Sequence, residues 1–157
     1  MVSRPEITVE VTDGVCRLLY HQMVCLTELR LGNGRRLDVL ALGAKGELWS
    51  VEVKSSVADF KADQKWESYV EYCDRLFFAV PMDFPKELIP KSVGLIVADR
   101  FEAAILRMPE EQKLSAARRK KLLISFGQTA AGRLGNTIGE NVFMPLLLVI
   151  CGIIPPP

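Results

Sequence analysis

Arg35-Arg36-Leu37-Asp38-Val39-Leu40-Ala41-Leu42 and Glu47-Leu48-Trp49-Ser50-Val51-Glu52-Val53-Lys54 are the two segments that decide the fold. Gly32-Asn33-Gly34 precedes the first, and Gly43-Ala44-Lys45-Gly46 separates them. Glycine and asparagine adopt the backbone angles of tight turns, so the segments read as antiparallel strands. Side chains alternate between the faces of a strand, and residues directly opposite each other share a face. When the numbers of opposing partners sum to 90, Leu37 faces Val53, Val39 faces Val51 and Ala41 faces Trp49. That face is wholly apolar. The other face pairs Leu42 with Leu48, Leu40 with Ser50, Asp38 with Glu52 and Arg36 with Lys54. A slip by one residue would mix polar with apolar on both faces, so the pattern selects this register.

The register has a chemical consequence. Asp38, Glu52 and Lys54 come together on one face, near the open end of the hairpin. Carboxylates directly opposite each other repel by up to about 1 kcal/mol. A hard divalent cation such as Mg²⁺ or Mn²⁺ takes carboxylate oxygens and would relieve that repulsion. A cation held by few carboxylates keeps positions for water and a phosphate. Lys54 would then orient or deprotonate an attacking water, or stabilise charge on the phosphate. The competing expectation is a solvated strand face on which Lys54 and Arg36 neutralise the two acids.

Working outward, Pro5 is suited to a first helical turn, and Ile7, Val11, Val15 and Leu18 recur at helical spacing. They predict a helix over about residues 5–21, and a strand follows over 24–31. Ser56 and Asp59 form a capping-box variant that opens a helix to about Cys73, with Ala62, Trp66, Tyr69 and Cys73 as its inward stripe. Further strands are expected at 76–80, 93–98 and 102–108, and a second long helix over about 110–133. The order is α-β-β-β-α-β with a β-β-α extension, an α/β (α+β) mixed sheet with helices on both faces. Residues 1–134 read as one domain and 135–157 as a tail.

The 157 residues carry 20 Lys plus Arg against 19 Asp plus Glu. That balance excludes the basic coat of an abundant nucleic-acid packaging protein, while leaving room for a local basic patch. At this length about 70 % of the unfolded chain's surface can be buried, so no metal or disulfide is required to hold a core. Four cysteines lie far apart, and His21 is the single histidine, which argues against zinc and against a disulfide framework. Cys16, Cys25 and Cys73 read as small buried hydrophobes. No secretory signal opens the chain, and the apolar run over residues 143–154 is interrupted by Pro145 and Gly152, so a reducing cytoplasm and no membrane are expected.

Asp38 followed by Glu52-Val53-Lys54 resembles the PD-(D/E)XK nuclease superfamily, whose restriction-endonuclease-like core has the order α-β-β-β-α-β. Longer blocks are similar to the MmcB-like family of bacterial DNA repair proteins. They are Gly14-Val15-Cys16-Arg17-Leu18-Leu19, Gly34-Arg35-Arg36-Leu37-Asp38, and Gly46 to Ser56 with Ala58-Asp59-Phe60. Asp63 with Lys65-Trp66, and Tyr72-Cys73-Asp74-Arg75-Leu76-Phe77-Phe78-Ala79-Val80-Pro81, extend the match. The resemblance implies that Asp38 and Glu52 are Mg²⁺ ligands and Lys54 the water-activating residue. It also implies a further acid, for which Glu10 and Glu28 are the candidates. Leu37 stands where the superfamily's name has proline. Gln64 and Tyr69 do not meet the spacing of recombination-type nucleases, being about 140° apart on a helix, whereas Lys65 and Tyr69 would share one helix face.

A Mg²⁺- or Mn²⁺-dependent endo- or exodeoxyribonuclease acting in DNA repair is therefore expected. Arg30, Arg35, Arg36, Lys61, Lys65, Arg118, Arg119, Lys120 and Lys121 are candidates for contacts with DNA. The alternative is a non-cleaving repair accessory, or DNA- or protein-binding module, that keeps the nuclease fold. Partners under either expectation are DNA and a second copy or other repair proteins.

Overall fold

The computed structural model describes the backbone of residues 4–63 and 65–150, and side chains for 5–63 and 65–137. Gln64 and the proline-rich end, including Cys151, lie outside the described residues. The element order is α1 (Arg4–Leu19), β1 (Met23–Arg30), β2 (Arg36–Gly43), β3 (Leu48–Val53), α2 (Val57–Ala62), β4 (Arg75–Val80), β5 (Gly94–Ala98), β6 (Ala103–Arg107) and α3 (Ala116–Ile150). Short 3₁₀ helices span Trp66–Tyr72 and Lys86–Leu88. The chain falls into two compact units, Met1–Arg119 and Lys120–Pro157, so the break falls inside α3.

In the first unit the strands form one mixed sheet in the order β1-β2-β3-β4-β5-β6. The β1–β2, β2–β3 and β5–β6 pairs are antiparallel; β3–β4 and β4–β5 are parallel. Tight turns serve the first two hairpins, with Gly34 and Gly46 at φ 81° and 84°, where a side chain would be strained. The β2–β3 ladder pairs Leu40 with Ser50, Val39 with Val51, Ala41 with Trp49 and Leu42 with Leu48, as the alternation requires.

Two apolar layers sandwich the sheet. On one face α1 buries Val11, Val15 and Leu19 against Val39, Val51, Phe77 and Ile96. On the other, Phe78, Val80, Leu95 and Val97 pack under Phe60, Trp66, Tyr69 and Val70. Helical elements therefore cover both faces, and Trp49 and Trp66 are packing residues, 5.1 Å and 5.6 Å from the rings of Phe77 and Phe78.

Two expected elements differ. The helix opened by Ser56 does not run to Cys73. Ser56 Oγ does accept from the Asp59 N–H, and Asp59 Oδ2 from the Ser55 N–H, but α2 stops at Ala62. Asp63 then turns its carboxylate to the Lys65 N–H and to Lys54, and the chain resumes as a 3₁₀ helix. Phe60 takes the inward place, Ala62 is exposed, and Lys65 no longer shares a face with Tyr69, because 3₁₀ geometry aligns positions three apart. The last helix begins at Ala116, not near residue 110, since Arg75 and the Asp74 carbonyl hold residues 109–112 in an extended connection. It continues to Ile150, past the expected boundary at residue 134.

Candidate metal and nucleic-acid site

The antiparallel ladder between β2 and β3 ends at Val39–Val51, one step short of Asp38 and Glu52. Beyond it the strands separate, and the Val53 N–H, which the next ladder carbonyl would have accepted, goes instead to Asp38 Oδ2 at 2.9 Å. The Asp38 side chain thereby closes the gap and is fixed at its mouth. Burial raises its pKa, against the Val53 N–H and the charges of Lys54 and Arg36, which lower it.

Glu52 lies on the same face and is only 2 % exposed. Its Oε1 is buried and meets no hydrogen-bond partner. Burial first, then the charge of Asp38, push its pKa up to about 8; Lys54 and the Asp38 backbone N–H oppose the shift without cancelling it. An unpartnered buried carboxylate oxygen costs roughly 1–3 kcal/mol or more, and in a folded protein such a group calls for a water, an ion or a catalytic role. Ser50, two residues earlier on the same strand face, also has a buried Oγ without a protein partner.

Lys54 ends the row, with Nζ 2.6 Å from Asp63 Oδ2 in a largely buried ion pair. Burial disfavours its ammonium, but the Asp63 hydrogen bond and charge, with Asp59 and Glu52, hold its pKa above the ordinary value. Asp63 is in turn kept ionised: burial works against it, and the hydrogen bonds from Lys54 and the Lys65 N–H, with Arg35 nearby, prevail. The break after α2 exists at this carboxylate. Arg35 completes the rim, donating to the Lys65 carbonyl at 2.8 Å with its guanidinium 5.6 Å from the Tyr69 ring centre. Asp63 had no signal in strand or helix periodicity; its role follows from a lysine that the fold buries and that must then find an anion.

The remaining candidates scatter. Glu10 stands on α1, which packs on the opposite face of the sheet. Glu28 is opposite Asp38 by register but is skipped by the β1–β2 ladder; its φ is 53° and its carboxylate pairs with Arg36 at 3.3 Å. Arg36 is thereby turned to Glu28 and not to Lys54. Among the described residues no group of three or more His, Cys, Asp or Glu is disposed to hold a metal, so neither glutamate joins the pair. Lys61, Lys65 and Arg30 are on the surface.

The basic run of α3 is divided between two fates. Arg118 binds Glu71 and lies 5.1 Å from the Tyr72 ring. Arg119 makes two bonds to the buried Asp74 and one to the Gly46 carbonyl, at the start of β3. From there to Glu52 is four strand residues, about 13 Å. Arg119 therefore holds the start of β3, whereas the Arg118–Glu71 pair is largely exposed. Lys120 and Lys121 belong to the second unit and are exposed.

The two carboxylates and the lysine are thus brought together by the fold, with hard oxygen donors at a buried position, the donor set that suits Mg²⁺ or Mn²⁺. Two protein carboxylates with no third acid suit a cation that keeps much of its water. The model of a family described as DNA repair protein MmcB-like matches residues 2–140. A solved structure described as the SPO1766 protein of unknown function from Silicibacter pomeroyi is 47 % identical. It superposes with a TM-score of 0.82, covering 86 % of this chain and 93 % of that one. No curated protein matches the chain.

Proposed function

The chain belongs to the MmcB-like family of DNA repair proteins, and from that premise we propose that it hydrolyses phosphodiester bonds in DNA at Asp38, Glu52 and Lys54 with a bound divalent cation. The observation that carries the proposal is Glu52 Oε1, buried and unpartnered beside a second carboxylate. Asp38 and Glu52 would hold Mg²⁺ or Mn²⁺, which when bound supplies Lewis-acid activation of water and of the phosphate.

The chain's own residues supply the rest. Asp38 is anchored by the Val53 N–H, so it presents its free oxygen from a fixed position. Glu52 is held by the strand itself. Lys54 is kept protonated by Asp63, so it acts as a donor that orients the attacking water and stabilises charge on the phosphate, and not as the base. Arg35 and Lys65 stand on the rim beside Asp63 and would receive backbone phosphates. In the net reaction the water oxygen bonds to phosphorus, one sugar–phosphate bond breaks, and the leaving oxygen takes up a proton.

The test is calorimetric titration of Mn²⁺ and Mg²⁺ into the wild type and Asp38→Asn, with cleavage assays on plain and branched duplexes. Cation binding that is lost in the variant, together with cation-dependent cleavage, supports the proposal. A second reading, a non-cleaving accessory, is favoured by one observation: Arg119, in the α3 basic run, is taken up by the buried Asp74. Cation binding without cleavage of any substrate would select it. No cation binding at all would return the acids to a structural role.

A further inference from the structure

Ser50 is a polar residue in an apolar place. It sits in the middle of β3, fully buried, with Leu40 opposite it on β2 and Leu76 beside it on β4, both buried as well. Its Oγ meets no hydrogen-bonding group of the protein. The Cys73 thiol, in the layer packed on this face, is spent elsewhere: it donates to the Tyr69 carbonyl at 3.5 Å and to that of Val70 at 3.9 Å. Alanine in the same position would leave no orphan group and would fold at least as well. A buried hydroxyl that the folded chain itself does not use points to something the chain receives.

One other group shares this condition. Glu52 follows two residues later, so both side chains leave β3 on the same face, about 6.6 Å apart along the strand. Glu52 Oε1 and Ser50 Oγ are the two buried side-chain oxygens without a partner among the described residues. A single water can bridge groups so spaced, since two hydrogen bonds in line reach about 5.5–6 Å. Mg²⁺ and Mn²⁺ suit the pair of carboxylates, and Mg²⁺ gives up its hydration reluctantly, so waters accompany it into a site with few protein ligands. Each such water is a polarised donor that needs an acceptor, and a serine hydroxyl offers two lone pairs. We propose that Ser50 holds, through its hydroxyl, a water of the cation bound at Asp38 and Glu52, on the buried side of Glu52. The inference rests on the cation site proposed above and adds to it a residue that touches the water and not the metal. Ser50 is therefore a positioning residue. It anchors the hydrated ion from beneath, as Asp38 does at the mouth of the gap.

The experiment titrates Mn²⁺ into the full chain by calorimetry, for the wild type, Ser50→Ala and Ser50→Cys, with urea unfolding of each in the absence of cation. Cysteine keeps the shape of serine, but its sulfur is a weak acceptor. The expected result is a Kd for Mn²⁺ raised about 10–100-fold in both variants, the usual effect of removing a partner of this kind. Their unfolding midpoints should be no lower than that of the wild type. A merely structural serine would give the reverse, lower midpoints with unchanged affinity, and that result would overturn the proposal. Unchanged affinity with unchanged midpoints would overturn it too, and would leave the cation site at Asp38 and Glu52 standing. Absence of Mn²⁺ binding by the wild type would overturn both. If Ser50→Ala does not fold, Ser50→Cys decides; failure of both to fold would make the hydroxyl structural and refute the inference.

Discussion

Glu52→Gln tests whether the fold stores unfavourable free energy at the site. The carboxyl is buried with an unpartnered oxygen next to Asp38, and its pKa is pushed from 4.5 to about 8. The folded state therefore keeps the proton that the unfolded chain has already released at intermediate pH. Between about pH 4.5 and 8 the native state binds more protons than the unfolded one, so this group's contribution to stability falls as pH rises across that window. Below it both states are protonated and nothing is lost; above it the full penalty applies, of order 5 kcal/mol at most for a shift of that size. Glutamine is neutral at every pH and removes the penalty. Urea unfolding of both proteins at pH 5 and pH 8.5 should show a stability difference that is small in acid and grows to a few kcal/mol in favour of the variant in base. Taking the difference cancels the titrating groups that Glu52 does not influence, and Lys54, which it does, is held above its ordinary value and so stays protonated across this window. Mg²⁺ at pH 8.5 should raise the wild type and leave the variant unchanged, because a ligand that binds only the native state stabilises it by mass action. A pH-independent difference, or a variant less stable at pH 8.5, would refute the reasoning and make Glu52 a satisfied structural acid.

Other outcomes follow from single contacts. Asp38→Ala leaves the Val53 N–H without an acceptor and should cost about 1–3 kcal/mol in urea unfolding, whereas Asp38→Asn keeps an oxygen there and should cost little, though both should abolish cation binding. Asp63→Ala strands the buried Lys54 ammonium and should destabilise by about 3 kcal/mol, while Asp63→Ala combined with Lys54→Met should recover most of that loss in the same assay. At Gly14 a new Cβ would stand 2.5 Å from the Asp99 carbonyl oxygen and 3.1 Å from Ala98 Cβ. Gly14→Ala should therefore lower the melting temperature, an overpacking cost of about 1–3 kcal/mol exceeding the gain of about 1 kcal/mol in helix propensity.

The order of elements and the β2–β3 register were legible because both rest on local periodicity. Leu40 opposite Ser50 follows from apolar alternation with no knowledge of what lies above the sheet. The placement of Asp38 and Glu52 on one face was legible for the same reason. Where α2 ends was not. Periodicity carries the helix on to Cys73, and it is interrupted because Asp63 spends its carboxylate on a lysine nine residues earlier. The partners of the α3 basic run were not legible either: a string of like charges says nothing of which members meet Asp74 and Glu71.

Alternation and turn chemistry, written into consecutive residues, thus determined the strands, their register and the face that carries the acids. Tertiary structure alone decided where the ladder opens to let Asp38 take the Val53 N–H, that Asp63 holds Lys54, and that Glu10 and Glu28 stay apart from the acid pair. The physical reason is range. A backbone pattern is satisfied by near neighbours, whereas a buried charge takes whichever partner the packed layers bring within reach.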